Sequence, residues 1–390
     1  MAAQDQRTFS ILLLALFASM LGLGIIVPLL PLYAENLGAS GVWIGLIFSG
    51  FSVSRFIFMP FVGSLSDQMG RKAFIATGLF LYGLFSLGFL VATSPVTLSL
   101  LRFGQGFGAA MIIPIAQAYA GDISPLAKEG KYMGLFSVAL FSGFGLGPLM
   151  GGVLRDLYGI EAGIYALSAL AFSAFVIVCL FLPEIQLHRQ NPSVPSKGFK
   201  ALLSMLASKI ARGLIVFRFT TAMCRGAIIT FVPIFAHNKL QLSSSQIGVV
   251  ISSHILITSA LMMPFGTLAD KVNRKALIII GGLLFSGLIF VLPSIRTFLE
   301  LLLLSLLSGA FGALVLPAAT AVMVEEGRVH GMGAAMSLFN MSMSLGLVCG
   351  PLVAGWLTDT LGLNSAFYIF GTLGVLGLAF FTLNSQTSRD

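Results

Sequence analysis

Charge is what this chain has least of: only 9% of its 390 residues are Asp, Glu, Lys or Arg, whereas 57% are hydrophobic. Soluble domains carry about a quarter of their residues as charges, so a water-solvated globular protein is excluded. A mean hydropathy of +0.99 makes lipid the solvent. Cysteine is almost missing as well. Cys179, Cys224 and Cys349 stand singly inside apolar runs, without the paired spacing of a disulfide framework or a thiolate metal site, and read as small packing residues. Only four histidines occur, and they are scattered, so neither a metal centre nor the clustered His and acid pairs of an intramembrane enzyme is signalled. Gly143-Phe-Gly145 lacks the strand and P-loop context of a nucleotide site. No cofactor is expected.

What the chain does have is apolar length. A spanning helix needs roughly 20 apolar residues, and runs bounded by charge, Gly and Pro fall at 9–33, 42–62, 73–93, 97–119, 132–154 and 162–182. Six more follow at 213–235, 245–265, 276–293, 298–321, 334–357 and 365–383. The expectation is an all-α integral membrane protein of twelve transmembrane helices, in six-helix bundles at 1–183 and 213–390 joined by a linker at 184–212. The linker holds Pro192, Pro195 and Gly198, and its segment 199–210 admits either a surface helix or a tether. Arg7 ahead of an apolar run resembles the start of a signal peptide, but no small-residue cleavage site follows, so the run is read as a retained first span. With the N-terminus inside, fifteen Lys and Arg residues lie in segments on that side, and only Arg155, Lys239 and Arg296 lie opposite. Both termini are therefore expected to be cytoplasmic. The net charge of +8 reports topology and not nucleic-acid binding.

The chain also repeats itself. Gly63-Ser-Leu-Ser-Asp67-Gln-Met-Gly-Arg71-Lys72 returns 203 residues later as Gly266-Thr-Leu-Ala-Asp270-Lys-Val-Asn-Arg274-Lys275. The same offset takes Gly106 to Gly309, Pro114 to Pro317, Asp122 to Glu325, Gly143 to Gly346, Gly147 to Gly350 and Pro148 to Pro351. Six spans per half make this a parallel repeat about an axis along the membrane normal, a duplication that places a site between the halves and permits rocking.

Over essentially the whole chain, these residues resemble the major facilitator superfamily. The loop from Gly63 to Lys72 resembles its G-x-L-(S/A)-D-x-x-G-R-K signature, and Arg102-Phe-Gly-Gln105-Gly106-Phe-Gly108 its R-x-x-Q-G-x-G motif. Gly143-Phe-Gly-Leu-Gly147-Pro148-Leu-Met-Gly151-Gly152 resembles the fifth-span motif associated with exporters and antiporters. The first span, from Gly22 to Tyr33, is similar to that of twelve-helix drug:proton antiporters. The resemblance implies a monomeric secondary active transporter of the bacterial inner membrane, exporting small amphipathic molecules or drugs against protons by alternating access. An alternative is a facilitator or importer of an anionic metabolite, and further alternatives are a membrane-embedded enzyme or a sensor.

Each motif has a physical reading. Asp67 suits a helix N-terminus, where free N–H groups favour an anion, and the resemblance implies that of span eleven. Arg71 is expected to pair with Asp122, and Arg274 with Glu325. With Lys72, Asp270 and Lys275 these residues form a latch that must open during transport. Gly143, Gly147 and Gly151 recur every four residues as a bare face for a neighbouring helix, and Pro148 can bend that span.

Charges in lipid are costly unless paired or hydrated. Arg55, Arg102 and Arg218 lie close enough to span ends for snorkelling to compete with function. Arg225 lies about twelve residues into its span, beyond easy reach of water. His254 is near mid-span and either titrates or packs. Gln105 and Asn340 suit either a cavity wall or an interhelical bond. No Asp or Glu lies deep in any span, and Glu35 and Glu300 sit only near outer ends. These nine positions are the candidate substrate or coupling residues. A cavity so lined prefers an anionic or neutral amphipath. The repeat supports the choice, since Arg102 faces Ser305 and Arg55 faces Thr258 in the other half.

Overall fold

The structure, a computed structural model, describes residues 3–124, 129–184, 205–330 and 332–386. Its elements are α1 (Ala3–Asn36), α2 (Gly41–Met69), α3 (Arg71–Gly88), α4 (Pro95–Asp122), α5 (Glu129–Tyr158) and α6 (Ile160–Phe181). There follow α7 (Lys209–Asn238), α8 (Ser244–Lys271), α9 (Arg274–Val291), α10 (Phe298–His330), α11 (Met332–Leu361) and α12 (Leu363–Gln386). Among the described residues twelve helices are long and apolar enough to cross a membrane, and each expected run falls on one of them, the runs at 73–93, 162–182 and 334–357 passing its end by one or two residues. The helices overrun the apolar cores by several residues, because backbone hydrogen bonding continues into the polar ends where side chains and water complete it. Outward faces carry large bare apolar groups: Phe61 is 65% exposed, Leu100 68% and Met263 80%. Such surfaces are stable against lipid and not against water.

Helix boundaries obey the repeat. The turns after α5 and α11 each use a glycine at positive φ, Gly159 (85°) and Gly362 (83°), 203 positions apart. An L side chain there would strain the backbone. The signature loop shows what happens when the copies differ. Gly70 turns the chain at φ 99°, and the free N–H of Lys72 at the start of α3 donates to Glu184 Oε1 at 3.4 Å. The equivalent position is Asn273, which adopts an ordinary φ and caps α9 itself, its Oδ1 accepting from Lys275 N at 3.0 Å and Ala276 N at 3.4 Å. Likewise Ser94 caps α4, accepting from Thr97 N at 3.2 Å, and its counterpart Thr297 accepts from Glu300 N at 3.3 Å at the start of α10.

Two compact units emerge, Met1–His188 with Ala236–Leu256, and Arg189–Phe235 with Ile257–Asp390. In the first, α1 packs on α5 and α6, while α4 packs on α2 and α3. The glycine face of α5 meets α1 as the spacing predicts: a Cβ on Gly143 would come within 2.6 Å of the Phe17 carbonyl oxygen, and one on Gly147 within 2.6 Å of the Leu21 carbonyl oxygen. In the second unit α9 packs on α10 and α12, and Gly346 of α11 meets α7, where a Cβ would fall 2.9 Å from Met223 N. Most of the linker, residues 185–204, lies outside the described residues, as do the side chains of 330–334. Of the segment 199–210 only 205–210 is described, and it is mixed: Leu206 is 42% exposed, and Ala207 and Lys209 are exposed as well. Met205 is fully buried against Ala211, Leu214 and Met323, and Ser208 Oγ donates to Glu326 at 2.5 Å.

Candidate functional site

α4 presents Arg102 and Gln105 three residues apart on one face, in the first unit. The Arg102 guanidinium donates to Gln105 Oε1, Gln105 Nε2 donates to Ser86 Oγ at 2.8 Å, and Ser86 Oγ donates to the Tyr82 carbonyl at 2.5 Å. The arginine also lies over the Phe51 ring at 4.5 Å and the Phe48 ring at 5.6 Å. The buried Nε of Arg102, Oη of Tyr82 and Oγ of Ser54 have no partner among the described residues. Arg55 of α2 borders the same neighbourhood, lining a small cavity with Ser19, Phe51, Tyr82 and Ile112. The structure thus brings Arg55, Arg102 and Gln105 together around Phe51 and Tyr82.

In the second unit, α7 carries Arg218 and Arg225. Seven residues is close to two turns, so the pair shares one face about 10 Å apart along the axis. Arg218 Nη2 donates to Met343 Sδ at 2.9 Å and the guanidinium covers the Phe339 ring at 4.7 Å. Its Nε is buried without a partner among the described residues. Arg225 is half-buried and its tip faces Gly312 of α10, where a Cβ would stand 3.3 Å from Nη2. The described ion pairs all lie at helix ends and involve Arg71 or Arg274, none of them an intramembrane arginine.

Asn340 is exposed on α11, and His254 is half-buried on α8. Glu35 accepts from Asn238 Nδ2 at 2.7 Å. Glu300 closes a capping box, its Oε2 accepting from Arg296 N at 2.8 Å and Thr297 N at 3.3 Å.

The duplicated loops hold their charges in matching arrangements. Arg71 reaches Asp67 at 3.2 Å and, through Nε, Asp122 at 2.5 Å. Arg274 reaches Asp270 at 3.2 Å and also pairs with Glu325, while its Nε donates to the Ala269 carbonyl at 3.0 Å. Lys275 Nζ donates to the Ser385 carbonyl at 2.8 Å. The Arg274 pairs are partly exposed and of the kind that contributes only about 0.2–1 kcal/mol each, whereas the Arg71 side chain is 11% exposed and its pairs are less screened. The approach of Asp67 to the start of span eleven falls on side chains outside those described.

Asp156 is a helix-capping position that motif reading missed. Its carboxylate accepts from Ser244 N at 3.0 Å and Ser245 N at 2.7 Å, holding the N-terminus of α8 against the end of α5. Leu149 N donates to Ser252 Oγ at 3.0 Å two turns further along the same contact. The signal available in the sequence was Ser243-Ser-Ser-Gln246, a capping box beside which an acid on a neighbouring helix is favoured. Asp156→Ala is expected to cost about 1 kcal/mol, the ordinary worth of an N-cap. Asp156→Asn, which keeps an acceptor, should cost less, and thermal unfolding of the purified protein checks the order.

Comparison with known proteins follows from this geometry. The family model described as Major Facilitator Superfamily matches residues 12–238 and 214–389. An uncharacterised MFS-type transporter of Methanocaldococcus jannaschii is 30% identical over 93% of this chain and 94% of that protein. Multidrug resistance protein 2 of Bacillus subtilis is 28% identical over 99% of this chain and 97% of that protein. Among solved structures, a bacterial homologue of the human lysosomal transporter Spinster, inward-facing and unoccupied, superposes with a TM-score of 0.85 at 14% identity, covering 99% of this chain and 98% of the other.

Proposed function

Because the chain belongs to the Major Facilitator Superfamily, a family of membrane transporters and not of enzymes, we propose that it is a proton-coupled exporter of small amphipathic molecules working by alternating access. The observation that carries this is the fifth-span glycine face seated on α1, built from the motif associated with exporters, together with near-full-length similarity to a multidrug resistance protein. In this reading the bundles at 1–183 and 213–390 rock about a site between them. The Arg71 and Arg274 clusters latch the cytoplasmic side, and both termini are cytoplasmic in a bacterial inner membrane. The protein works as a monomer. Substrate and coupling positions are sought among Arg55, Arg102, Gln105, Arg218, Arg225 and His254.

Proteoliposomes loaded at acid pH and diluted into alkaline buffer are expected to accumulate amphipathic probes, and nigericin, which collapses the gradient, to abolish the accumulation. Accumulation indifferent to nigericin would remove proton coupling, and flux of no probe at all would remove the exporter reading. A second reading, facilitated movement of an anionic metabolite, is favoured by the intramembrane arginines and by the absence of any deep carboxylate.

A further inference from the structure

Cations in lipid must be compensated, and the four intramembrane arginines achieve this to different degrees. Arg102 has Gln105 and two aromatic faces. Arg218 has the Met343 sulfur and the Phe339 ring. Arg55 opens on a small cavity with Tyr82. Arg225, 13 residues from the nearer end of α7 and about as deep as Arg55 in α2, has no hydrogen-bond or ion-pair partner among the described residues. Its tip lies against Gly312, which has no side chain to cover the guanidinium. The thirteen Asp and Glu residues that the structure describes lie at or near helix ends or in loops, so none of these carboxylates is stationed at this depth.

We propose that the counter-charge is the cargo: Arg225 binds the carboxylate, sulfonate or phosphate group of an amphipathic organic anion, with Arg218 two turns along the same face of α7 as a second cation. The apolar part of such a ligand finds the half-buried Met343 beside Arg218, whose sulfur already accepts from that guanidinium, while the buried Phe339 backs the arginine from the core. The planar fork of Arg225 presents paired N–H donors that match the oxygens of these groups and have nothing to match on a neutral or cationic molecule. Loading also neutralises the charge whose burial is costly, so the loaded protein is the form that closes most readily. This inference rests on the transport reading, whose substrate class it narrows.

The test uses the full chain in nanodiscs and three naphthalene probes of matched size bearing sulfonate, hydroxymethyl or trimethylammonium. Binding is measured by calorimetry against empty discs, and flux by accumulation in proteoliposomes. The sulfonate is expected to bind at least thirtyfold more tightly than the other two, about what charge-assisted hydrogen bonds contribute. Arg225→Gln should lose about thirtyfold for the sulfonate while leaving weak binding of the hydroxymethyl probe unchanged. Arg225→Lys should recover part of the loss, and Arg218→Gln should show a smaller one. Sulfonate affinity equal to that of the ammonium probe, or unchanged in Arg225→Gln, overturns the proposal. If Arg225→Gln does not fold, the ranking of the three probes on the native chain and on Arg225→Lys decides. Sulfonate bound in an Arg225-dependent way without flux supports the anion site and overturns the exporter reading. Flux of the ammonium probe that ignores Arg225→Lys does the reverse.

Discussion

Gly147→Val leaves little folded protein to purify, whereas Gly134→Val on the same helix is silent. At Gly147 the nearest atoms to an added Cβ are all backbone: Gly24 Cα first, then Gly24 C and Leu21 O, both at 2.6 Å. Backbone cannot rotate aside as a side chain tip can, so α1 and α5 must separate along their whole contact. The penalty is at least ~3 kcal/mol, the upper range for overpacking, and branching at Cβ adds to it. Gly134 has nothing within 4 Å of an added Cβ. The repeat extends the prediction to the second unit: at Gly350 the nearest atoms are again backbone, with Met223 Cα at 3.0 Å. Gly350→Val is therefore expected to match Gly147→Val, and a fluorescence-detected gel-filtration profile of the four proteins measures it. A monodisperse peak of native height for Gly147→Val removes the close-contact account of the export motif.

Helix number, helix limits and the repeat were legible in the sequence because lipid imposes one rule on every span. Roughly 20 residues must be apolar, and charges are driven to the ends. Even finer features obeyed the 203-residue offset, as Gly159 and Gly362 do in their turns. The site was less legible. The sequence marks arginines by type and depth, but whether each is satisfied depends on neighbours from other helices. Gln105 is three residues from Arg102 and could be paired with it by helical spacing alone. Met343 and Phe339 are more than 120 residues from Arg218, and no spacing rule links them. Glu300 carries a second signal. Its place in a list of coupling residues came from its being one of few acids near a span, yet Thr297-Phe-Leu-Glu300 is a capping box by pattern and in the structure. Asp156 was passed over because its partner is backbone, and a backbone N–H has no letter in a sequence.

Gln105→Leu is expected to destabilise the protein more than removal of both residues in Arg102→Leu/Gln105→Leu. In the native chain Arg102 is 5% exposed and Gln105 is fully buried. The single change takes the oxygen acceptor from a buried cation that has no carboxylate to turn to, a loss of about 3–5 kcal/mol. Arg102→Leu strands only a neutral amide whose nitrogen keeps its bond to Ser86, at about 1–3 kcal/mol. The double substitution leaves neither an unpaired charge nor an unpaired carbonyl, and its apolar side chains suit the rings of Phe48 and Phe51. Its thermal midpoint should lie above those of both single variants. Transport then separates scaffold from mechanism. A merely structural Arg102–Gln105 pair predicts native flux in the double variant, because stability has been restored. A pair that acts in transport predicts a stable protein whose flux falls at least tenfold, about 1.4 kcal/mol on the rate-limiting barrier, and that is the result expected. Arg102 Nε and the Tyr82 and Ser54 hydroxyls of the same unit are buried without a partner among the described residues. A purely structural network has no reason to leave three polar atoms unsatisfied.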